Sequence, residues 1–276
     1  MGIIYGLIAM GMVLIFRAVG IMNFAQGEFL MLGGYFAYTF SQLGINIVLS
    51  IVLASLCMGV VGVLFMRSSY WPLRSAQAKA IVVSAMGASI VLKEGARLIW
   101  GALPLNLDRI VDGSVQIGTA SIRWQFLVII AIALVLMLLV YFLLEKTFIG
   151  NIMQATAQDQ YMASLSGISV IVSIGMTFAL SAMITGICGG LIAPIFFLTN
   201  TMGATSGAKA FAAIVIGGFG SIQGAFVGGL IVGLVEQFGG FYISSTYQLV
   251  IIYVVLIAFL MFKPNGLFGE KIGEKA

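Results

Sequence analysis

Charged side chains within apolar stretches are the residues of this sequence with the most capacity for chemistry. Four of them interrupt or border runs of hydrophobic residues: Glu28, Lys93, Glu94 and Arg97. A charge at the centre of a bilayer costs about 2.5–3.5 kcal/mol on the insertion scale, so such side chains are expected to pair or to face water. Glu94 and Arg97 are three residues apart, which places them on one face of a helix, where they can pair.

The residue types that most enzymes need are scarce. The chain has no histidine, 9 acidic residues and 13 lysines and arginines, for a net charge of +4. The lack of histidine excludes Ser-His-Asp and Cys-His catalysis and any His-ligated metal or haem. The run GGFG at 217–220 lacks the lysine of a phosphate-binding loop. We therefore expect no catalytic, cofactor-binding or metal-binding residue, and we predict that the chain is not an enzyme.

The composition identifies lipid as the solvent of this chain. Of its 276 residues, 61% are hydrophobic and 8% are charged, whereas soluble domains are about 45–50% apolar and about 25% charged. Long unbroken apolar runs favour helices over the short alternating strands of a membrane barrel. We predict an all-α fold, a polytopic transmembrane helical bundle forming a single domain over 1–276, with about 8–10 crossings and some broken or re-entrant elements.

Apolar blocks separated by polar segments give the candidate spans. The blocks are 2–16, 28–43, 45–66, 80–100, 126–144, 169–198, 210–236 and 247–262. The first has no positively charged segment before it, so we expect a retained span rather than a cleaved signal peptide. Block 169–198 is too long for one straight crossing, and Gly186, Gly189, Gly190 and Pro194 interrupt it.

The basic residues set the orientation of the spans. Segment 67–79 carries three basic residues and no acid, and the tail carries Lys263, Lys271 and Lys275, so both should be cytoplasmic. This bias also explains the positive net charge without nucleic acid, for which no basic cluster is present. Because successive spans cross the membrane in opposite directions, segment 101–125 is predicted to be a periplasmic loop and segment 145–169 to be cytoplasmic. The chain must cross an even number of times after 168, so 169–198 or 210–236 must be a double crossing or a re-entrant hairpin.

The polar segment NFAQGE at 23–28 joins the first two blocks. It is either a short solvated loop or a helix break, where Asn23 and Gln26 could hydrogen-bond a polar ligand. The charged residues of block 80–100 also allow two interpretations. They reach the outer membrane interface near Trp100, or they form one wall of a translocation path. The candidate translocation path consists of Asn23, Gln26, Glu28, Lys93, Glu94 and Arg97.

A glycine series in the block 210–236 favours close helix packing. Its main members are Gly217, Gly218, Gly220, Gly224 and Gly228. The four-residue spacing of the last three gives a flat stripe on which another helix can pack. The same glycines would also let helices slide during gating.

Segment 145–169 is the longest polar stretch assigned to the cytoplasm. Its small residues and apolar edge suit a short amphipathic helix. Such a helix could dock in a groove of another protein or lie on the membrane surface, and the pattern favours neither.

Several segments, in order along nearly the whole chain, carry a resemblance to a known family. They are GLIAMG at 6–11, GIMNFAQGE at 20–28, MLGGY at 31–35, the stretch 148–168, KAFAAIVIGGFGSIQGA at 209–225 and KPNGLFG at 263–269. Together they resemble the membrane permease subunits of ATP-binding-cassette importers for branched-chain amino acids. The chain departs from the family pattern at Gln26, where histidine is common, and at Met153 and Gln154, near which arginine is frequent.

The resemblance implies a heteromeric importer in the bacterial inner, or cytoplasmic, membrane. A second homologous permease would pair with this chain, two cytoplasmic ATPase subunits would bind ATP, and a periplasmic binding protein would deliver the amino acid. The chain itself would bind no cofactor. The stretch 150–168 would dock in an ATPase groove, and its expected coupling residues are Gly150, Ala155, Asp159, Ala163 and Gly167.

Three alternatives remain open from the sequence. Sister permeases for urea, short-chain amides or other amino acids share the same motifs. An ion-coupled secondary carrier or channel would use Glu28, Glu94 and Glu236. A membrane enzyme or scaffold is the third, and the lack of a catalytic grouping counts against it.

Overall fold

The apolar runs fold into helices that pack as one bundle. A computed structural model describes residues 1–111, 113–117 and 120–269; Lys271 and Lys275, used above for orientation, lie outside the described residues. The helices are α1 (Gly2–Val19), α2 (Gln26–Gln42), α3 (Ile47–Phe65), α4 (Ala78–Trp100), α5 (Trp124–Lys146), α6 (Phe148–Gln158), α7 (Gln160–Leu165), α8 (Val170–Ile192), α9 (Met202–Gly217), α10 (Ile222–Tyr242) and α11 (Gln248–Phe262). The prediction of an all-α, polytopic helical bundle is confirmed.

Short irregular elements complete the chain. A short π-helix at Met66–Tyr70 and a short 3-10 helix at Trp71–Leu73 extend α3. Strands β1 (Ser114–Ile117) and β2 (Ala120–Arg123) form an antiparallel hairpin within the 101–125 loop, with Ser114 opposite Arg123.

The lengths and outer surfaces of the helices fit a bilayer. Among the described residues, five helices are long and apolar enough to cross it: α1, α3 with its extension, α5, α8 and α10. Helices α9 and α11 are shorter and also apolar. Large apolar side chains such as Leu138, Phe142 and Ile257 are exposed on the outer faces of α5 and α11. A surface of this kind is stable in lipid and unstable in water.

Block 169–198 differs from the prediction of a break at Gly186–Gly190. Helix α8 continues through these glycines and ends at Ile192, two residues before Pro194. The glycines serve packing instead, because a Cβ at Gly189 would meet the carbonyl oxygen of Leu30 in α2. Ala193 still has helical dihedrals, and Pro194 has no N–H to donate the next hydrogen bond, so the regular hydrogen bonding of the helix ends there.

Block 210–236, the other block predicted to contain a double crossing or a re-entrant hairpin, does contain a helix break. Helix α9 ends at Gly217 and α10 begins at Ile222. Between them Gly218 has φ 107° and Gly220 has φ 82°, a region that favours glycine. The two helices are antiparallel neighbours, since Gly217 lies against Gly224 and, one turn further on, Ala213 lies against Gly228. Between residue 168 and residue 269, where the described residues end, there are therefore four helices, an even number, as the orientation argument requires.

One end of the bundle gathers the segments that were assigned to the cytoplasm. Gln160 Nε2 donates to the Ala18 carbonyl at 2.9 Å, which ties α7 to the end of α1. Arg17 Nε donates to the Gly220 carbonyl in the α9–α10 turn. The tail returns to the same turn, because the Leu267 N–H donates to the Ile216 carbonyl at 2.9 Å.

The opposite end joins the loop 101–125 to the segment after α8. Leu105 and Leu198 exchange two backbone hydrogen bonds, of 3.0 and 2.8 Å. Trp100 closes α4 against α2, where its Nε1 donates to Thr39 Oγ1 at 2.8 Å and its ring stacks on Tyr35 with 5.0 Å between centroids. These contacts fix the end of α4, whose middle portion borders the candidate site.

Candidate functional site

The polar segment 23–28 lies inside the bundle. Asn23 is 4% exposed and Gln26 is fully buried. The Ala25 N–H donates to Asn23 Oδ1 at 3.1 Å, a local turn that leads the chain into α2. The segment is therefore part of the interior, and the solvated-loop interpretation does not hold.

Gln26 joins three helices through its amide. Its Nε2 donates to Ser181 Oγ at 2.8 Å and to Thr185 Oγ1 at 2.6 Å, both on α8. Ser181 Oγ in turn donates to the Gly11 carbonyl of α1 at 2.7 Å. Both amide hydrogens are thus engaged, so Gln26 holds the start of α2 in place and has no donor left for a ligand.

Glu28 lies at the start of α2 and is only 3% exposed. Its Oε1 accepts a hydrogen bond from Ser89 Oγ of α4 at 3.3 Å. Its Oε2 is buried and has no hydrogen-bond partner among the described residues. A Cβ at Gly203, in the first turn of α9, would lie 2.6 Å from Oε2. The carboxylate is therefore held beside α9, with one oxygen still available to a donor.

A cavity of about 380 Å³ adjoins Glu28. Its polar lining includes Glu28 and Ser89, and small residues at the start of α9, including Gly203 and Gly207, make up another part. The large apolar residues that line it are Met12, Phe24, Met86, Ile90, Phe211 and Tyr253. Sites for small ligands occupy about 300–1,000 Å³ and combine apolar walls with few polar groups, and this cavity fits that description.

The last three charged residues of α4, Lys93, Glu94 and Arg97, lie in a part of the helix that this chain leaves partly open. Arg97 and Glu94 pair at 3.5 Å, as their spacing predicts, and their side chains are 55% and 47% exposed. Lys93 is one turn beyond Ser89 and three residues beyond Ile90, which places it on the side of α4 that borders the cavity. The structure therefore places Lys93 on the cavity side of α4 and leaves the Glu94–Arg97 pair on the outer surface.

A buried ion pair is the feature that sequence reasoning missed. Lys209 Nζ of α9 contacts Glu236 Oε1 of α10, and their side chains are 14% and 6% exposed. Lys209 also donates to the Tyr5 hydroxyl of α1 at 3.2 Å. The break at 217–220 was a usable signal, because folding the chain back there places Lys209 within about a turn of Glu236.

Four of the five expected coupling residues shape the segment that follows α5. Gly150 and Ala163 are buried. The Asp159 carboxylate caps α7 by accepting the Tyr161 N–H at 2.8 Å, and Gly167 ends α7 with φ 81°. Ala155 is half-buried on α6. Large apolar side chains reach solvent instead: Tyr161, Met162 and Leu165 are 69%, 58% and 66% exposed.

The glycine series divides between a turn and two helix contacts. Gly218 and Gly220 form the α9–α10 turn. Gly224 packs against Gly217, and Gly228 against the carbonyl of Ala213, which brings the two backbones close together. Gly229 and Gly233 of α10 similarly contact Gly6 and Gly2 of α1. Gly220 therefore does not belong to the packing stripe, and the gating role of the series stays a prediction.

The family model and the similar proteins that match this chain agree in their descriptions. The profile of the family described as "Branched-chain amino acid transport system / permease component" matches residues 1–260. The chain is 32% identical to the "High-affinity branched-chain amino acid transport system permease protein LivH" of Escherichia coli (strain K12), over 100% of this chain and 94% of that protein. It is 30% identical to the permease protein BraD of Pseudomonas aeruginosa, over 99% and 94% of the two chains.

More distant matches extend the comparison. A protein of Methanocaldococcus jannaschii described as "Probable branched-chain amino acid transport permease protein LivH" is 28% identical over 95% of this chain and 88% of its own length. Among solved structures, "PsaBC from Streptococcus pneumoniae in complex with Fab" aligns with a TM-score of 0.47 and 12% identity, over 96% of this chain and 90% of that one.

Proposed function

The chain belongs to the family of branched-chain amino acid transport system permease components, and from this premise we propose that it forms part of the membrane path of an ATP-driven importer for branched-chain amino acids. It is a multi-pass integral membrane protein and the permease subunit of an amino acid importer. The finer features of the assembly are proposed here: the partners, the ATP-binding subunits and the bacterial cytoplasmic membrane as its location.

The partners are a second homologous permease, two cytoplasmic ATPase subunits and a periplasmic binding protein. The exposed charges of α4 support a partner at that face, since Glu94 and Arg97 are about half exposed on a helix otherwise suited to lipid. A second permease, or a water-filled path between two permeases, would cover them. ATP hydrolysis belongs to the ATPase subunits, because the sequence of this chain has no phosphate-binding loop.

Coupling to the ATPase takes place through α6 and α7. The exposed apolar edge formed by Tyr161, Met162 and Leu165 suits the groove of a partner protein. Gln160 links this segment to the end of α1 through the Ala18 carbonyl. A movement of α7 is thereby passed to α1, a helix that contributes Met12 to the cavity beside Glu28. Alternating access follows if this set of helices rocks against its neighbours.

An ion-coupled carrier is supported less well. That mechanism needs carboxylates that can exchange protons or ions with a path. Glu236 is paired with Lys209, and Glu94 is paired with Arg97. Glu28 and Glu236 each keep one buried carboxylate oxygen without a hydrogen-bond partner, but of the three acids considered only Glu28 has no ion-pair partner among the described residues.

A competition assay tests the choice of solute. The complex of this chain with its permease, ATPase and binding-protein partners is placed in liposomes, and uptake of labelled leucine is measured. Unlabelled isoleucine and valine are expected to compete, and urea and short-chain amides are expected to have no effect. Competition by urea or amides, with none by isoleucine or valine, would overturn the proposed solute class.

A further inference from the structure

The Glu28 carboxylate has an arrangement that the packing of the helices does not explain. One oxygen accepts the Ser89 hydroxyl, and the other is buried without a partner among the described residues. Buried polar groups are nearly always hydrogen-bonded, and an unsatisfied charged group is costly. A carboxylate kept in this state inside a transport protein is suited to a cationic group that arrives with the substrate.

The surroundings of Glu28 supply the other two features that an amino acid would need. The cavity wall contains large apolar side chains, among them Met86, Ile90 and Phe211, which suit a branched aliphatic side chain. Lys93 follows Ser89 by one turn on the face of α4 that borders the cavity, where its ammonium group could face a carboxylate. Opposite charges beside an apolar wall match a zwitterion with a hydrophobic side chain, whereas a neutral amide offers no charge to either residue.

We infer that the cavity between α2, α4 and α9 is a binding site for the amino acid within the membrane path, where Glu28 binds the α-ammonium group and Lys93 faces the α-carboxylate. This inference rests on the proposed function and deepens it, because it places selection for a zwitterion in the permease as well as in the binding protein. Ser89 is a positioning residue, since it holds the Glu28 carboxylate from α4.

Protection of a cysteine at the cavity wall tests the site directly. Met86 lines the cavity and is 45% exposed, so Met86→Cys is introduced into a Cys57→Ser chain, whose other cysteine, Cys188, is buried. The chain is assembled with its permease and ATPase partners, without the binding protein, and reacted with a small water-soluble thiol reagent. Leucine is expected to slow the reaction, and 4-methylpentanoate, which lacks the ammonium group, is not.

Two charge variants in this background separate the roles of the anchors. Glu28→Gln is expected to raise the leucine concentration needed for half-protection at least about tenfold, because a hydrogen bond to a charged group is lost. Lys93→Gln is expected to do the same for leucine and to leave protection by leucinamide, which has no carboxylate, unchanged. Lys93 is partly exposed, so this second variant decides the outcome if Glu28→Gln fails to assemble.

The outcomes distinguish this inference from the proposed function. The zwitterion site would be overturned if leucine protected the parent and both charge variants equally. It would also be overturned if 4-methylpentanoate protected the cysteine as well as leucine does. ATP-driven leucine uptake by the unmodified complex is measured in parallel. Uptake without protection contradicts only the site, whereas an absence of uptake contradicts the proposed function itself.

Discussion

At the scale of single residues, buried polar groups hold the helices of this bundle together. Gln26 joins α2 to α8, and Lys209 joins α9 to α10 and α1. In a membrane, where apolar burial does not drive helices together, such contacts and close packing give the bundle its specificity. Glu28 differs from these residues because it has no ion-pair partner, and one of its carboxylate oxygens has no hydrogen-bond partner, among the described residues.

Removing one partner of the Lys209–Glu236 pair should destabilise the bundle strongly. Lys209→Met leaves the Glu236 charge buried without a counter-ion, at a cost of about 3–5 kcal/mol. The midpoint of thermal unfolding in detergent is expected to fall markedly. The double variant Lys209→Met with Glu236→Leu should regain most of the loss, since no charge is then left buried. Equal midpoints for the single variant and the parent would contradict this account.

The sequence predicted part of this residue-level picture. The Glu94–Arg97 pair follows from spacing on one helix, so it could be predicted and it is present. The partners of Gln26 are 155 and 159 residues away on α8, and their proximity depends on how α2 packs, which local spacing does not determine. The contact between Lys209 and Glu236 is intermediate in how well the sequence predicts it, because the glycines of the hairpin turn that brings the two residues together are visible in the sequence.

At the scale of elements, glycines determine where helices approach and where they end. The same residue type gave a wrong prediction in α8 and a right one at the α9–α10 turn. In α8 the glycines keep helical dihedrals and face α2 and α3, as in the contact of Gly186 with Gly33. At Gly218 and Gly220 the backbone takes positive φ values, and α9 ends just before them. Composition alone does not distinguish the two uses, because both need only the absence of a side chain.

A side chain at position 189 should therefore disturb the α2–α8 contact. In Gly189→Val the new Cβ would overlap the Leu30 carbonyl, and overpacking of this kind costs about 1–3 kcal/mol or more. A lowered thermal midpoint in detergent is expected. Gly95→Ala in α4 is the matched control, since nothing lies within 4 Å of that position, and its midpoint should be unchanged or slightly raised. The reverse order of the two midpoints would refute the packing role.

The edge of α7 should decide coupling to the ATPase. Leu165→Asp places a charge on the apolar edge proposed to enter the ATPase groove, and leucine uptake per ATP hydrolysed is expected to fall at least about tenfold. The thermal midpoint of the permease should not change, because Leu165 is 66% exposed. Leu165→Met is the control and should retain coupling. Full uptake in the aspartate variant would exclude this edge as the contact.

At the scale of the whole molecule, charge and hydropathy predicted the class of fold and the side of each connection. Basic residues in 67–79 and an even number of crossings after residue 168 required one extra helix, and the α9–α10 hairpin supplies it. Block 126–144 became α5 at Trp124–Lys146 with ends within two residues of the prediction. The cavity beside Glu28 could not be predicted, since residues from several helices form it.

Labelling of single cysteines tests the overall topology. In a Cys57→Ser chain, Thr246→Cys lies between α10 and α11 and should react with a membrane-impermeant thiol reagent in cells whose outer membrane has been made permeable. Ser166→Cys, at the end of α7, should react only after the inner membrane is opened as well. Both positions are exposed. Labelling of both from the same side would show that 210–236 is not a double crossing.

The source of energy is the most direct test of the account, because it separates an importer subunit from a carrier. Leucine uptake is measured in liposomes that contain this chain with its permease and ATPase partners and enclose ATP, with loaded binding protein added outside. Uptake is expected only when ATP is present, and a proton or sodium gradient without ATP should give none. Gradient-driven uptake by this chain alone, without nucleotide, would contradict the account.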